Sequence, residues 1–284
     1  MKISAIVVTY NPIFDDLLRN IDSYLNQVNY LIIWQNSKLT DLELKKIYTK
    51  SPKSIIILGT GENVGIGIAL NESIKWSIDH GCDYVLTLDQ DSHFKEGMLN
   101  RYKCLIQQTD YPGVGIYGVN PNNWNHQLYD TKEPTIEVAD TITSGSIFPV
   151  SVFIQYGFFD EELFIDAVDY EFCYRLKSKG VKTIVFTSII LEHEVGEAHK
   201  TWIGFKTDNY SAFRTYFIVR NHIAIWKRYP SIFPYNYKYV LIKTHILSRI
   251  LKIILAEKDK LNKLKSIKNG LIDGLKGKTG MYRN

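Results

Sequence analysis

Cysteine is scarce in this chain: three among 284 residues, Cys82, Cys104 and Cys173, odd in number and far apart. They make neither a disulfide framework nor a C-x-x-C metal site, and a reducing compartment suits them best. Long apolar runs are missing as well. No uncharged stretch approaches the roughly 20 residues that cross a bilayer, so any membrane contact is expected to be peripheral. The opening MKISAIVVTYNP has one Lys and a short β-branched run stopped by Tyr10-Asn11-Pro12. That is too short and too β-branched for a signal peptide and reads as a first buried strand. With 8 Pro, 18 Gly and no repeat, collagen-like and low-complexity classes are excluded. What is present in quantity is apolar side chain, 45% of the chain, enough for a sizeable core in one large domain or two modest ones.

Acidic residues become rare after residue 199. Residues 1–199 carry 16 basic and 26 acidic side chains (net −10), and residues 200–284 carry 18 and 4 (net +14), so the overall +4 describes neither part. Such a division marks either a basic arm that meets a membrane or polyanion, or a solvated Lys-rich terminal helix. The stretch 237–255 has helical spacing with Lys238, Lys243, Arg249 and Lys252 among aliphatics. Cations set among aliphatics suit the plane of an anionic lipid surface, and nucleic acid, which needs an exposed aromatic platform, is not expected. A homodimer through these helices would bury the same apolar stripe. The expected division is a main domain over 1–225 and a basic helical extension over 226–284.

Along the first half, short apolar strands (3–8, 30–34, 54–58, 84–88) alternate with helical patterns (15–27, 41–49, 66–80). The alternation predicts an α/β fold with a parallel, doubly wound sheet, whose ligands sit at the carboxyl ends of the strands. After about residue 110 the alternation fails and a mixed half follows. Strands are expected near 114–119, 136–140, 146–150 and 183–186, and helices at the end of 158–179 and over 211–227.

Four places carry candidate chemistry. In Leu88-Asp89-Gln90-Asp91-Ser92 a buried strand ends in two carboxylates, which repel unless a cation lies between them. A hard divalent ion bridging substrate phosphates meets that need; the plainer alternative is Asp91 capping a helix over 94–107. Asp166, Asp169 and Glu171 open a helix, where the dipole accounts for one or two carboxylates. Glu171 and Arg175 are spaced to pair, which leaves Asp169 as a general base, with Asp166 in reserve. His193 follows a strand and is either structural or a further metal contact. Arg220 offers a guanidinium to a diphosphate or makes a helix-surface salt bridge. The run Gly59-Thr60-Gly61-Glu62-Asn63-Val64-Gly65 misses the dinucleotide spacing by one residue and follows the third strand, so a nicotinamide enzyme is not expected.

In order, Val7-Val8-Thr9-Tyr10-Asn11-Pro12, Asn63-Val64-Gly65-Ile66 through Asn71, Asp89-Gln90-Asp91-Ser92, Thr143-Ser144-Gly145-Ser146, the segment 164–175 and Arg220-Asn221 resemble the inverting glycosyltransferases of family 2, bacterial rhamnosyltransferase branch. The resemblance covers roughly residues 1–225. It implies a GT-A fold, in which Thr9, Asn11, Asn36, Asn63 and Gly65 border a nucleotide-sugar, with Asp89 and Arg220 at its diphosphate. Asp89 and Asp91, with His193, would hold Mg2+ or Mn2+. Ser144, Gly145 and Glu171 would lie near the donor sugar or acceptor, and Asp169 matches the catalytic base. One departure touches the base-binding position: Gln35-Asn36-Ser37 stands where many relatives carry Asp-Asn-Ser, so dTDP- and UDP-linked donors both stay open. The implied acceptor is a glycan, lipid-linked, at the cytoplasmic face of a bacterial membrane. Rival readings are the same fold with a UDP-hexose or UDP-N-acetylhexosamine, a nucleotidyltransferase, and a non-catalytic sugar-binding or membrane scaffold. No basic Gly-rich loop near the first strand supports the nucleotidyltransferase.

Overall fold

The computed structural model describes residues 1–108, 111–123, 126–193, 199–200, 206–207, 209–233 and 237–281, the side chains of residues 193, 199, 200 and 206 excepted. Contacts divide the chain into two compact units, residues 1–159 with 176–194 and residues 160–175 with 195–284.

The first unit begins with β1 (Ile3–Thr9), apolar at nearly every position because both of its faces are covered. Ile3, Ala5 and Val7 join the core that also holds Leu17 and Ile21 of α1 (Phe14–Asp22). Ser4 faces the other way, where its hydroxyl donates to Ser77 Oγ at 2.7 Å. The chain continues as β2 (Tyr30–Gln35), α2 (Asp41–Lys50), β3 (Ile55–Leu58), α3 (Ile66–Asp79) and β4 (Tyr84–Asp89). Thr40 and Glu43 form a reciprocal capping box at the start of α2, which satisfies two amides that the helix leaves open. Gly65 caps α3 at φ 88°, a backbone state that other residues rarely adopt.

The next elements are β5 (Ser92–Phe94), α4 (Met98–Gln108), β6 (Val114–Asn123), β7 (His126–Gln127), β8 (Thr135–Val138), β9 (Ile147–Pro149), α5 (Val150–Tyr156), α6 (Val168–Ser178) and β10 (Lys182–His193). The sheet runs β3-β2-β1-β4-β9-β6-β10-β5. β1 to β4 are mutually parallel, β9 is antiparallel to β4 and β6, and β10 is parallel to β6. The sheet is therefore mixed, as the broken alternation after residue 110 predicts. The helix expected over 94–107 begins four residues later, because Ser92–Phe94 is taken up as a strand against His193–Leu191. Asp91 is consequently not a helix cap. β1 lies between β2 and β4, so the connection changes direction there, and a crevice opens between the carboxyl ends of β1 and β4.

The second unit is built on α7 (Ala212–Arg228) and α10 (Lys260–Lys276), with α8 (Tyr237–Leu241), a π-helical stretch (Ile242–Leu247) and α9 (Ser248–Ala256) between them. Gly270 and Gly274 let α10 lie close on α7: a Cβ at Gly274 would stand 2.9 Å from Arg220 O and from Ile223 Cβ. Val219, Ile223, Leu241, Ile246, Ile253 and Ile267 form one core from all of these helices. The boundary expected at 225/226 thus falls inside α7, and the basic helices share its core rather than trailing from it. Lys263 and Glu257 pair inside this unit at 2.8 Å, and Thr207 Oγ1 donates to Glu257 at 2.6 Å. Among the described residues no helix is long and apolar enough to cross a membrane.

Candidate active site

At the carboxyl end of β4, Asp89 is exposed and Asp91 partly so, on a tip fixed from two sides. Ser144 accepts from the Asp89 amide at 3.0 Å and donates to Ser92 Oγ at 2.8 Å. Gln90 spans the crevice to the end of β1, accepting from Tyr10 N at 2.8 Å and donating to Tyr10 O at 3.2 Å. Asn20 of α1 donates to Gln90 O at 2.9 Å. The sequence gives Gln90 no distinguishing mark, since its partner lies 80 residues away; the structure shows that it ties the two strand ends that flank the crevice.

The nucleotide-side residues divide into exposed and buried. Asn11 is exposed at the tip of β1 with φ 45°, and its amide donates to Ser37 Oγ at 2.6 Å. Asn63 is half-buried and accepts from Gly65 N at 3.1 Å. Thr9 and Asn36, expected to border the nucleotide-sugar, have buried side chains. Thr9 Oγ1 donates to Trp34 O at 3.0 Å, and Asn36 accepts from Trp34 Nε1 at 3.1 Å while donating to Gly65 O at 3.2 Å. With Asn36 N donating to Thr9 O at 2.9 Å, these bonds fasten the ends of β1 and β2 to each other and to the Gly65 backbone. Gln35 Oε1 accepts from Leu39 N at 3.0 Å and supports the turn after β2.

Ser144 and Gly145 were expected near donor or acceptor, and both are buried instead. A Cβ at Gly145 would stand 2.7 Å from Val119 Cγ2, so this corner is packed between strands. Its effect on the site passes through Asp89 and Ser92. The backbone of His193 pairs with Ser92, one residue from Asp91; its side chain lies outside the described residues. Among those residues, no cluster of three or more His, Cys, Asp or Glu is arranged to hold a metal ion. Asp89 and Asp91 alone are hard oxygen donors of the kind that Mg2+ and Mn2+ accept.

In the second unit, Asp169 is the second residue of α6, half-buried, with Oδ1 accepting from Tyr170 N at 2.9 Å. The two carboxylates nearest to it in sequence, Glu171 and Asp166, are both paired with arginines. Glu171 is buried, and Arg175 grips it through Nε at 2.9 Å and Nη2 at 3.1 Å, as the four-residue spacing predicts. Tyr229 adds a bond to Glu171 Oε1 at 2.6 Å, and burial first, then this bond, pushes the Tyr229 hydroxyl up to about 12. Glu171 is therefore a structural anchor and not a sugar contact. Asp166, the reserve base, is held by Arg214 through Nε at 3.1 Å and Nη2 at 3.0 Å. Burial raises its pKa above the ordinary carboxylate value while Arg214 pulls against that rise. Arg220 is 1% exposed, with Nε donating to Asn221 Oδ1 at 2.8 Å and Nη2 to Glu162 O at 3.1 Å. A buried guanidinium committed to backbone carbonyls has no fork left for a diphosphate, which corrects the expectation for this residue.

A family model for glycosyl transferase family 2 matches residues 4–159, more than half of the chain. The chain belongs to that family. A curated relative, the dTDP-rhamnosyl transferase RfbF of Shigella flexneri, is 26% identical over 98% of this chain and 97% of its own length. The fold is that of GT-A glycosyltransferases of known structure. TarS 1-349 of S. aureus in complex with UDP-GlcNAc superposes with TM-score 0.62 at 16% identity, over 98% of this chain and 82% of that one. The mannosyltransferase PcManGT of Pyrobaculum calidifontis, in complex with GDP-Man and Mn2+, gives 0.60 at 11% identity, over 96% and 87%. GalNAc-T7 with UDP, GalNAc and Mn2+ gives 0.62 at 10% identity, and there the chain spans 56% of the longer protein. As a family 2 member the protein is a glycosyltransferase, and the crevice between β1 and β4 lies within the matched segment.

Proposed function

We propose that this glycosyltransferase moves L-rhamnose from dTDP-rhamnose, with inversion, onto a glycan acceptor carried by a lipid at an anionic membrane surface. The observation that carries the reading is the β4 tip: two carboxylates at the sheet's switch point, Asp89 exposed and Asp91 half-buried, on a backbone pinned by Ser144 and Gln90. The end-to-end likeness to a dTDP-rhamnosyl transferase supports the donor. Asn11, Asn63 and Gly65 bind the nucleotide, with Thr9 and Asn36 bracing the backbone beside them. Asp89 and Asp91 hold Mg2+ or Mn2+, which when bound would neutralise charge on the diphosphate. Asp169 takes the proton of the acceptor hydroxyl as its oxygen bonds to the anomeric carbon and the bond to the diphosphate breaks; one displacement inverts the configuration.

Asp169→Asn is expected to lower turnover by about 10² or more, the size of a general-base contribution, with donor binding retained in a titration. Full turnover by this variant would reject Asp169 as base. Thermal shift with dTDP-rhamnose and with UDP-sugars, each with and without Mn2+, identifies the donor, since specific binding raises the midpoint by mass action. A UDP-N-acetylhexosamine donor is the second reading, favoured by the likeness to the UDP-GlcNAc complex of TarS; stabilisation by that sugar and not by dTDP-rhamnose would select it.

A further inference from the structure

The loop ahead of α6 follows a strained path. Phe164, Asp166 and Ala167 have φ of 64°, 62° and 64°, a region that residues with a Cβ avoid and that persists only where the surroundings over-determine it. Those surroundings are present within the second unit, and nothing in the proposed chemistry uses them. Asn221 Nδ2 lies 2.9, 2.8 and 2.8 Å from the carbonyl oxygens of Leu163, Ile165 and Asp166. Arg220 Nε, donating to Asn221 Oδ1 at 2.8 Å, turns that amide so that its nitrogen faces the loop. Arg220 Nη2 donates to Glu162 O at 3.1 Å and Leu163 O at 3.2 Å, and Nη1 reaches Gly280 O. The end of the chain closes the arrangement: Gly280 N donates to Glu162 O at 2.7 Å and Thr279 Oγ1 to Glu162 Oε2 at 2.6 Å. The guanidinium is cushioned by Phe217, 4.6 Å from its ring centre, on which Phe164 also stacks at 5.2 Å.

Seven of these bonds end on residues 162–166 and the other two brace the groups that make them, and Asp169 follows Ala167 by two residues. Relaxation of φ at 166 and 167 would re-aim the first turn of α6 and the carboxylate on it. We propose that Arg220 and Asn221, together with the C-terminal turn at Thr279 and Gly280, are positioning residues that hold the strained loop and so set where Asp169 presents its carboxylate. This inference rests on the assignment of Asp169 as base. It also gives the last residues of the chain, 110 or so positions after the base, a part in turnover.

Two variants of the full-length protein test it. Asn221→Asp keeps the shape and the acceptor for Arg220 but removes the N–H donors to the loop. Gly280→Ala meets no atom within 4 Å and acts only through its φ of 84°, which carries the test if the first variant fails to fold. Each is made alone and in the Asp169→Asn background, with kcat, donor Kd and thermal midpoint measured. We expect kcat to fall about 10-fold or more, as a misplaced catalytic group does, with donor Kd changed less than about twofold. In the Asp169→Asn background the same substitutions are expected to cost less than about twofold, because the two act through one group. Equal losses in both backgrounds, loss of kcat in step with donor binding, or undiminished kcat in both variants would overturn the proposal. Full turnover by Asp169→Asn alone would instead overturn the base assignment on which it stands, a result distinct from any of these.

Discussion

Glu171 shows how a residue that looks chemical from its spacing turns out to be an anchor. Its side chain is 2% exposed and paired with Arg175, with Arg228 Nη1 a further 3.8 Å away. Removing one partner of a buried pair leaves the others uncompensated, so Glu171→Ala is expected to cost about 3–5 kcal/mol in urea unfolding, with donor affinity of the folded fraction unchanged. A loss of donor affinity without loss of stability would return Glu171 to the site. The pairing itself was legible, because a four-residue spacing on a helix is a local rule. The roles of Arg220 and Ser144 were not legible. Their partners, Glu162 and Gly280 for one and Asp89 and Ser92 for the other, lie about 50 to 60 positions away in sequence, and no local pattern encodes that.

Among the elements, α7 and the helix that follows it enclose a histidine pair. His222 and His245 stack at 3.9 Å between ring centres, with Tyr170 at 5.2 Å from His222 and Tyr237 Oη 3.3 Å from its Nδ1. Burial pulls His222 down to about 3 and His245 to about 4, the latter with help from Arg249. Above about pH 6.5 both are neutral folded and unfolded, so they cost nothing. As the pH falls below that value the unfolded chain takes up protons that the folded chain refuses, and stability drops until the folded pKa values are reached. The urea midpoint is therefore expected to fall between pH 6.5 and 4, and His222→Phe to flatten the slope; an unchanged slope in that variant would exclude the pair as its source. The strand and helix order of the first unit was readable from periodicity, but the start of α4 was missed. Pairing of Ser92–Phe94 with β10 is a long-range event that overrides a helical pattern.

For the whole molecule, the charge division of −10 and +14 acquires a surface. Tyr239, Val240, Ile242, Leu247, Leu251, Ile254 and Leu255 are exposed along the helix from α8 to α9, Leu251 by 58%, while Ile253 between them is buried. Lys238, Lys243 and Lys252 accompany them, and no acidic residue occurs from 209 to 256. An apolar face with cations and no anions suits an anionic bilayer, at about 1 kcal/mol per Lys near the surface. The full chain is expected to co-sediment with vesicles containing phosphatidylglycerol, less so at high salt, and Leu247→Asp with Leu251→Asp to abolish it. Equal sedimentation by both proteins would reject the surface, and a shift from dimer to monomer in the variant would assign it to self-association. α10 packs one face on α7 through Gly270 and Gly274, which the charge count did not reveal.

By itself the sequence determined the layered α/β class and the family, and it singled out Asp89, Asp91 and Asp169 as candidate site carboxylates. These follow from periodicity, turn chemistry and ordered motifs, all properties of neighbouring residues. Tertiary structure decided which polar residues face solvent and which are spent on backbone. Thr9, Asn36, Ser144, Glu171 and Arg220 carry side chains suited to ligands, yet burial obliges each to satisfy a hydrogen bond inside the protein. Burial depends on how distant segments pack, and no local reading of the chain contains it.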